Sequence, residues 1–279
     1  MASARAPFAD LHVHTWFSDS SLSPAQAVEE AVAHGVGVLA IADHEGFSGS
    51  LEAEPYARAA GLAFIRAAEL ECTWEDKQLH ILCYGARPRD PALTALAARS
   101  RRILDQMSDR LIENMKGEYP ALSLEEYQEF SYDRSLGGWK GLHYLLAKGV
   151  TQTLRQGMGL YAAYGVTYEE AGFPGLGQLL KTIRRAGGRA VLAHPGHSLG
   201  QEDLGALERQ VEALVERGLE GVECHYPLHG PDTTAMLRRL CLEKGLLITA
   251  GSDCHGTFGR TRVGEMDVER DMLRLEGLL

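Results

Sequence analysis

The chain has 279 residues, 45% hydrophobic and 24% charged, the balance of an ordinary globular protein long enough to bury a full core. Its 28 Lys plus Arg against 38 Asp plus Glu give a net charge of −10, which excludes a broad electrostatic track for long nucleic acid but not a small anion held by local cations. No apolar run reaches the ~18 residues of a membrane span, the N-terminus lacks the parts of a signal peptide, and five cysteines without a C-x-x-C pair argue against a disulfide framework, so a cytoplasmic protein with no membrane or protein partner is expected.

Residues 8 to 14 read as a strand from the apolar Phe8, Leu11 and Val13, and its two-residue period puts His12 and His14 on one face, a pair with the bite to begin a metal site. Ser23-Pro24 then reads as cap and first residue of a helix carrying Ala25, Val28, Ala31 and Val32 at helical spacing, with His34 as a surface or capping residue at its end. An apolar run over 36 to 42 stops at Asp43-His44-Glu45, as a buried parallel strand ending in a polar loop does. A helix is expected over 48 to 60, a strand over 62 to 70 ending near Glu69 and Glu71, a strand over 79 to 84 carrying His80, and a long helix over 91 to 116.

From 117 to 172 the text turns irregular and rich in tyrosine, a small helical insertion in which Trp139, Lys140 and His143 are the residues that could face a substrate. The α/β rhythm resumes with a helix over 176 to 186 and a strand over 189 to 193 that ends in His194-Pro195-Gly196-His197. A helix over 201 to 217, a strand over 221 to 224, a helix over 233 to 244 and a strand over 246 to 250 follow, the last ending in Gly251-Ser252-Asp253-Cys254-His255. This alternation predicts an α/β fold with a parallel sheet: a distorted seven-stranded β/α (TIM-like) barrel from 1–116 and 173–279, with a helical insertion (cap) domain over 117–172.

Polar groups recur where strands end, and in a barrel those ends open on one face. They are His12, His14, Asp19, His44, Glu69, His80, His194, Asp253 and His255, six imidazoles and three carboxylates. Each alone reads as an ordinary core histidine or turn carboxylate. Together they exceed what one four-coordinate ion needs and suit two or three divalent ions, Mn, Fe or Zn. Asp43 is expected to orient one of the histidines. Glu71 shares a strand face with Glu69 and competes with it for the ligand role.

The run D-L-H-V-H-T with the following S-D, then A-D-H, A-A-E, L-H-I, A-H-P-G and G-S-D-C-H, resembles the polymerase and histidinol phosphatase (PHP) superfamily of metal-dependent phosphoesterases, over about residues 8 to 86 and 176 to 265. The insertion resembles that of the small nucleotide-phosphatase branch. The resemblance implies a first ion on His12, His14, Glu69 and Asp253, a second on Glu69, His80 and His194 with Glu69 as the bridge, and a third on Asp19, His44 and His255. It favours Glu69 over Glu71 and implies catalytic roles for His194, Asp253 and Glu69. The expected reaction is hydrolysis of a small phosphomonoester, a nucleotide among the candidates, by attack of a metal-activated hydroxide.

Relatives commonly have arginine where this chain has His197, and arginine in the insertion where it has Gly137-Gly138-Trp139-Lys140. The basic and imidazole groups left to meet phosphate are His197, Lys140, Arg260, Arg262 and His225, with His229 near the same strand end. Competing functions are an exonuclease on short oligonucleotides, a non-catalytic metal-bound scaffold, and amide hydrolysis. The full donor set disfavours the scaffold. Lys77 as the only lysine before residue 116 offers little support for the metal-bridging lysine that amide hydrolysis on this barrel usually employs.

Overall fold

Among the described residues, seven strands lie side by side in the order of the chain. The computed structural model describes residues 7–279, so the first six residues of the expected barrel segment lie outside the described ones. The strands are β1 (Phe8–Val13), β2 (Val36–Ile41), β3 (Ala63–Trp74), β4 (Lys77–Tyr84), β5 (Arg189–Leu192), β6 (Gly221–His225) and β7 (Leu247–Ala250). β1, β2 and β3 pair in parallel, as do β5, β6 and β7.

The expected all-parallel sheet is corrected at its centre, where β4 runs antiparallel to both β3 and β5. The cause is local: β3 continues to Trp74, and only Glu75 and Asp76 separate it from β4, with Glu75 in the left-handed region at φ 56°. A link that short closes a hairpin and cannot make the crossover that a parallel pair requires. The hairpin sets Glu69 and His80 on neighbouring strands.

β7 and β1 approach without forming a ladder among the described residues. The His14 N–H donates to the Cys254 carbonyl (3.0 Å) and the Asp253 N–H to the His12 carbonyl (2.8 Å). The buried Asp10 carboxylate holds the same seam, accepting from the Ser252 N–H (2.9 Å) and the Gly264 N–H (2.7 Å). The sheet is therefore a distorted barrel with one open seam, and that seam carries three of the expected metal donors.

Helices α1 (Pro24–Ala33) and α2 (Ser48–Ala59) cover one side of the sheet, packing Ala27, Ala31, Ala53 and Ala57 against Leu39 and Ile41. Ser23 caps α1 in a reciprocal capping box with Gln26, and His34 caps its other end, Nδ1 lying 2.9 Å from the Glu30 carbonyl. The long α3 (Pro91–Met115) is followed by α4 (Leu124–Glu129), α5 (Lys140–Ala147) and α6 (Leu154–Ala163). These helices share a separate apolar cluster in which Met107, Leu111 and Ile112 of α3 meet Tyr127, Tyr144 and Leu145.

α7 (Leu176–Arg185) leads back to β5. The helix expected over 201 to 217 is present as α9 (Leu204–Glu216), started by the Asp203 cap, and a short α8 (Pro195–Leu199) precedes it in the stretch read only as the polar end of β5, stopped at Gly200 with φ 86°. α10 (Pro231–Lys244) joins β6 to β7. A polar loop ties the helical segment to the end of β1: the Gly138 N–H donates to the Asp19 carbonyl at 2.6 Å. Gly137 beside it has φ 68°, and a Cβ there would stand 2.6 Å from Phe258 Cβ, so glycine permits the approach.

Candidate metal centre

The nine expected donors come from six strands and their following loops and gather in one cluster, seven of them lining a common pocket and His12 and His14 fully buried against them. His12 Nε2 and His14 Nε2 lie 3.0 Å apart. Around them are Glu69 Oε2, 3.4 Å from each, and Asp253 Oδ1, 3.4 Å from His12 and 3.2 Å from His14. The other Glu69 oxygen, Oε1, is 2.9 Å from His80 Nδ1 and 3.1 Å from His194 Nε2. One carboxylate thus faces two histidine pairs with different oxygens.

The remaining donors gather beside this pair. His255 Nε2 stands 3.3 Å from Asp19 Oδ1, and the His255 ring stacks on His14 at 4.1 Å. His44 reaches both neighbourhoods, its Nδ1 3.2 Å from Glu69 Oε2 and its Nε2 4.0 Å from Asp19 Oδ1. Two of the gathered residues adopt uncommon backbone: His194 at φ 31° and Asp253 at φ 51°. Strain of this kind, typically about 1–3 kcal/mol per residue, persists where surrounding contacts over-determine it.

Electrostatics bind the cluster tightly. Burial opposes ionisation of Glu69, but His80, His12 and His44 around it hold its carboxyl well below the usual range. Asp253 and Asp19 are likewise held down against burial by their histidine neighbours. Burial also opposes charge on the histidines, yet Glu69 raises His80 to about 9 and Asp19 raises His255 to about 10. His44 shifts the other way, pushed down by burial to about 3.

The donor set fits divalent metal. Groups of His14, Asp19, His44 and His255, of His12, His14 and Asp253, and of His44, Glu69 and His80 each bring their ligand atoms within 4.8 Å of one another. Asp19 Oδ1 and His44 Nδ1 are buried without a hydrogen-bond partner among the described residues, a costly condition that a coordinated cation would relieve. Mixed imidazole and carboxylate ligands suit Mn, Fe or Zn.

Above the donors opens a cavity of about 840 Å³, with Glu69, His80, His194, Asp253 and His255 on its floor and Leu136, Trp139, Met158 and Phe258 on its walls. His197 lines it, as expected, its ring 5.6 Å from His194. The other expected phosphate contacts lie elsewhere. The Lys140 ammonium donates to the Gln128 carbonyl (2.8 Å) and lines an adjoining cavity of about 500 Å³. His225 turns to Arg238, Nε2 to Nη1 2.8 Å, while Arg260 and Arg262 are exposed on the loop beyond His255. The cations that do line the larger cavity are Lys77 and Arg155. The sequence offered no signal for Arg155 beyond its charge.

Asp43 accepts from the Thr15 N–H, the Thr15 hydroxyl and the Ser18 hydroxyl, each at 2.7 Å. It reaches His14 only through Ser18, whose Oγ lies 3.3 Å from His14 Nδ1. His143 and His229 serve the backbone, facing the Gly137 and Cys224 carbonyls. Two residues passed over in the sequence stand against the donors: Tyr226, whose hydroxyl donates to Asp253 Oδ2 (3.3 Å), and Glu223, 3.0 Å from His12 Nδ1. The available signal for Glu223 was a carboxylate in the middle of an otherwise apolar strand.

A model of the PHP domain matches residues 10–153. The chain belongs to the PHP family. This PHP protein is 30% identical over 266 residues to a 5'-3' exoribonuclease of Haemophilus influenzae, covering 92% of this chain and 93% of that one. It is 26% identical over 257 residues to a 3',5'-nucleoside bisphosphate phosphatase of Chromobacterium violaceum, covering 90% and 89%. Among solved structures, a Bifidobacterium adolescentis protein assigned as a metal-dependent phosphoesterase superposes with a TM-score of 0.78 at 25% identity, over 94% of this chain and 93% of that one.

Proposed function

We propose that this PHP protein hydrolyses a small phosphomonoester, with mononucleotides the leading substrate class, using two or three divalent ions. The observation that carries the reading is the division of Glu69, one oxygen toward His12 and His14 and the other toward His80 and His194. A carboxylate so divided is built to bridge two cations. His12, His14, Glu69 and Asp253 would hold the first, Glu69, His80 and His194 the second, and Asp19, His44 and His255 a third. Bound ions would polarise a phosphoryl oxygen and lower the pKa of water toward ~7, supplying a nucleophile at neutral pH.

The protein's own groups do the positioning. Glu69, His194 and Asp253, held by the surrounding histidine contacts, would fix the ions where their charge attracts the reacting phosphate without reorganisation. Lys77 and Arg155 at the cavity wall attract the anion to a protein whose net charge is −10. His197, with one face to the cavity, is placed to donate to a phosphate oxygen. The apolar walls of Leu136, Trp139, Met158 and Phe258 exclude water and suit a planar leaving group such as a nucleoside.

A second reading is an exonuclease on short oligonucleotides, supported by the adjoining cavity. It shares Leu104, Trp139, Met158 and Tyr168 with the first, so a second nucleotide has contiguous space. The five free, buried cysteines support a cytoplasmic location.

The test is direct. Protein stripped and reloaded with Mn, Fe or Zn should bind two or three equivalents and release phosphate from mononucleotides. Faster turnover of di- and trinucleotides would favour the second reading, and metal-replete protein inert toward both would overturn each.

A further inference from the structure

We propose that Glu223 is the positioning residue that couples the two main ion positions, fixing the tautomer of His12 and the backbone of His194 with one carboxylate. This rests on the metal reading above. Glu223 lies mid-strand in β6 and is fully buried. Its Oε1 is 3.0 Å from His12 Nδ1, and its Oε2 accepts the His194 N–H at 2.8 Å. His12 and His194 come from β1 and from the end of β5, and they face different oxygens of Glu69.

The two contacts have distinct consequences. A carboxylate only accepts, so His12 must carry its proton on Nδ1, which leaves the Nε2 lone pair free toward His14, Glu69 and Asp253. At His194 the accepted N–H supports the left-handed turn, φ 31° and ψ 57°, that aims Nε2 at Glu69. The packing preserves this arrangement: a Cβ on Gly251 would stand 2.3 Å from Glu223 Oε1 and 2.2 Å from His12 Cβ. Glycine at 251 lets β1 and β6 side chains close to hydrogen-bond distance.

Glu223→Gln keeps volume and removes this logic. If the amide oxygen faces His12, the NH₂ opposes the His194 N–H, donor against donor. If it faces the His194 N–H, the NH₂ donates to His12 Nδ1 and moves the ring proton to Nε2, where it blocks coordination. Either way one ligand is misdirected.

The experiment measures zinc affinity of wild type and Glu223→Gln by chelator competition, with metal-free melting temperature as the check on folding. The expected result is roughly 10- to 100-fold weaker zinc binding in the variant, the usual effect of losing such a partner. Affinity within twofold of wild type would overturn the proposal. Should the variant fold poorly, nitrogen NMR of zinc-loaded wild type decides: a proton on His12 Nδ1 supports the proposal, and its absence there overturns it. Both readouts are independent of substrate, so wild type that binds zinc yet hydrolyses no phosphoester would sink the functional reading and leave this one standing.

Discussion

His80 Nδ1 lies 2.9 Å from Glu69 Oε1, although the antiparallel register of β3 and β4 sets His80 opposite Glu71 and Glu69 opposite Leu82. The diagonal contact favours Glu69 over Glu71 as the proposed bridging ligand. Glu71 instead accepts from the Gln78 amide at 2.7 Å and belongs to no group with ligand spacing among the described residues. Glu69→Gln should therefore lower hydrolysis by roughly 10²- to 10³-fold, the scale of removing a preorganised electrostatic group. Metal content should fall with it. Glu71→Gln should keep full metal content, and equal losses in the two variants would contradict the assignment.

Metal loading should release protons and tighten as pH rises. His80 and His255, raised to about 9 and about 10 by Glu69 and Asp19, are protonated in the metal-free protein at pH 7 and must be neutral to coordinate. Calorimetry in buffers of different ionisation enthalpy should count at least two protons released per loading at pH 7, His12 being raised above its ordinary value as well. The same raised values stabilise the metal-free fold fully below the unfolded value of 6.5, and that contribution is lost as pH climbs through about 9 to 10. Metal-free protein should accordingly melt lower at pH 10 than at pH 7. No proton release on loading would show that these pairs are already neutral.

Trp139 stands between the donors and the adjoining cavity, its ring 5.7 Å from His44 and 5.0 Å beneath the Arg101 guanidinium. Base stacking on an aromatic face is worth about 1–3 kcal/mol, so Trp139→Ala should raise KM for a mononucleotide by about tenfold or more, with kcat less affected. Lys140 is held by the Gln128 carbonyl and lies over the Tyr127 ring at 4.7 Å. Lys140→Ala should leave KM for a mononucleotide unchanged. Steady-state kinetics of the two variants side by side distinguish a substrate wall from a structural lysine.

Much of the centre was legible from local chemistry. Histidines and carboxylates at strand ends are conspicuous because burying them costs free energy unless something pairs with them. The alternation of apolar runs and capped helices located the strands to within a few residues. Local signals stop at contacts between distant segments. Glu71 and Glu69 are two residues apart on one strand, and only the register with β4 separates their roles. Arg260 and Arg262 follow Asp253 and His255 closely in sequence, yet their loop carries them outward to solvent.

By itself the sequence determined the elements, the donor types and their approach to a common end of the sheet, since residue periodicity and turn chemistry act over a few positions. The tertiary structure alone decided the open β7–β1 seam held by Asp10, the division of Glu69 between two histidine pairs, and the grip of Glu223 on His12 and His194. Those features depend on groups as much as 254 residues apart, as in the Asp10 carboxylate and the Gly264 backbone N–H. Their distances are set by packing of the whole barrel, which no local pattern encodes.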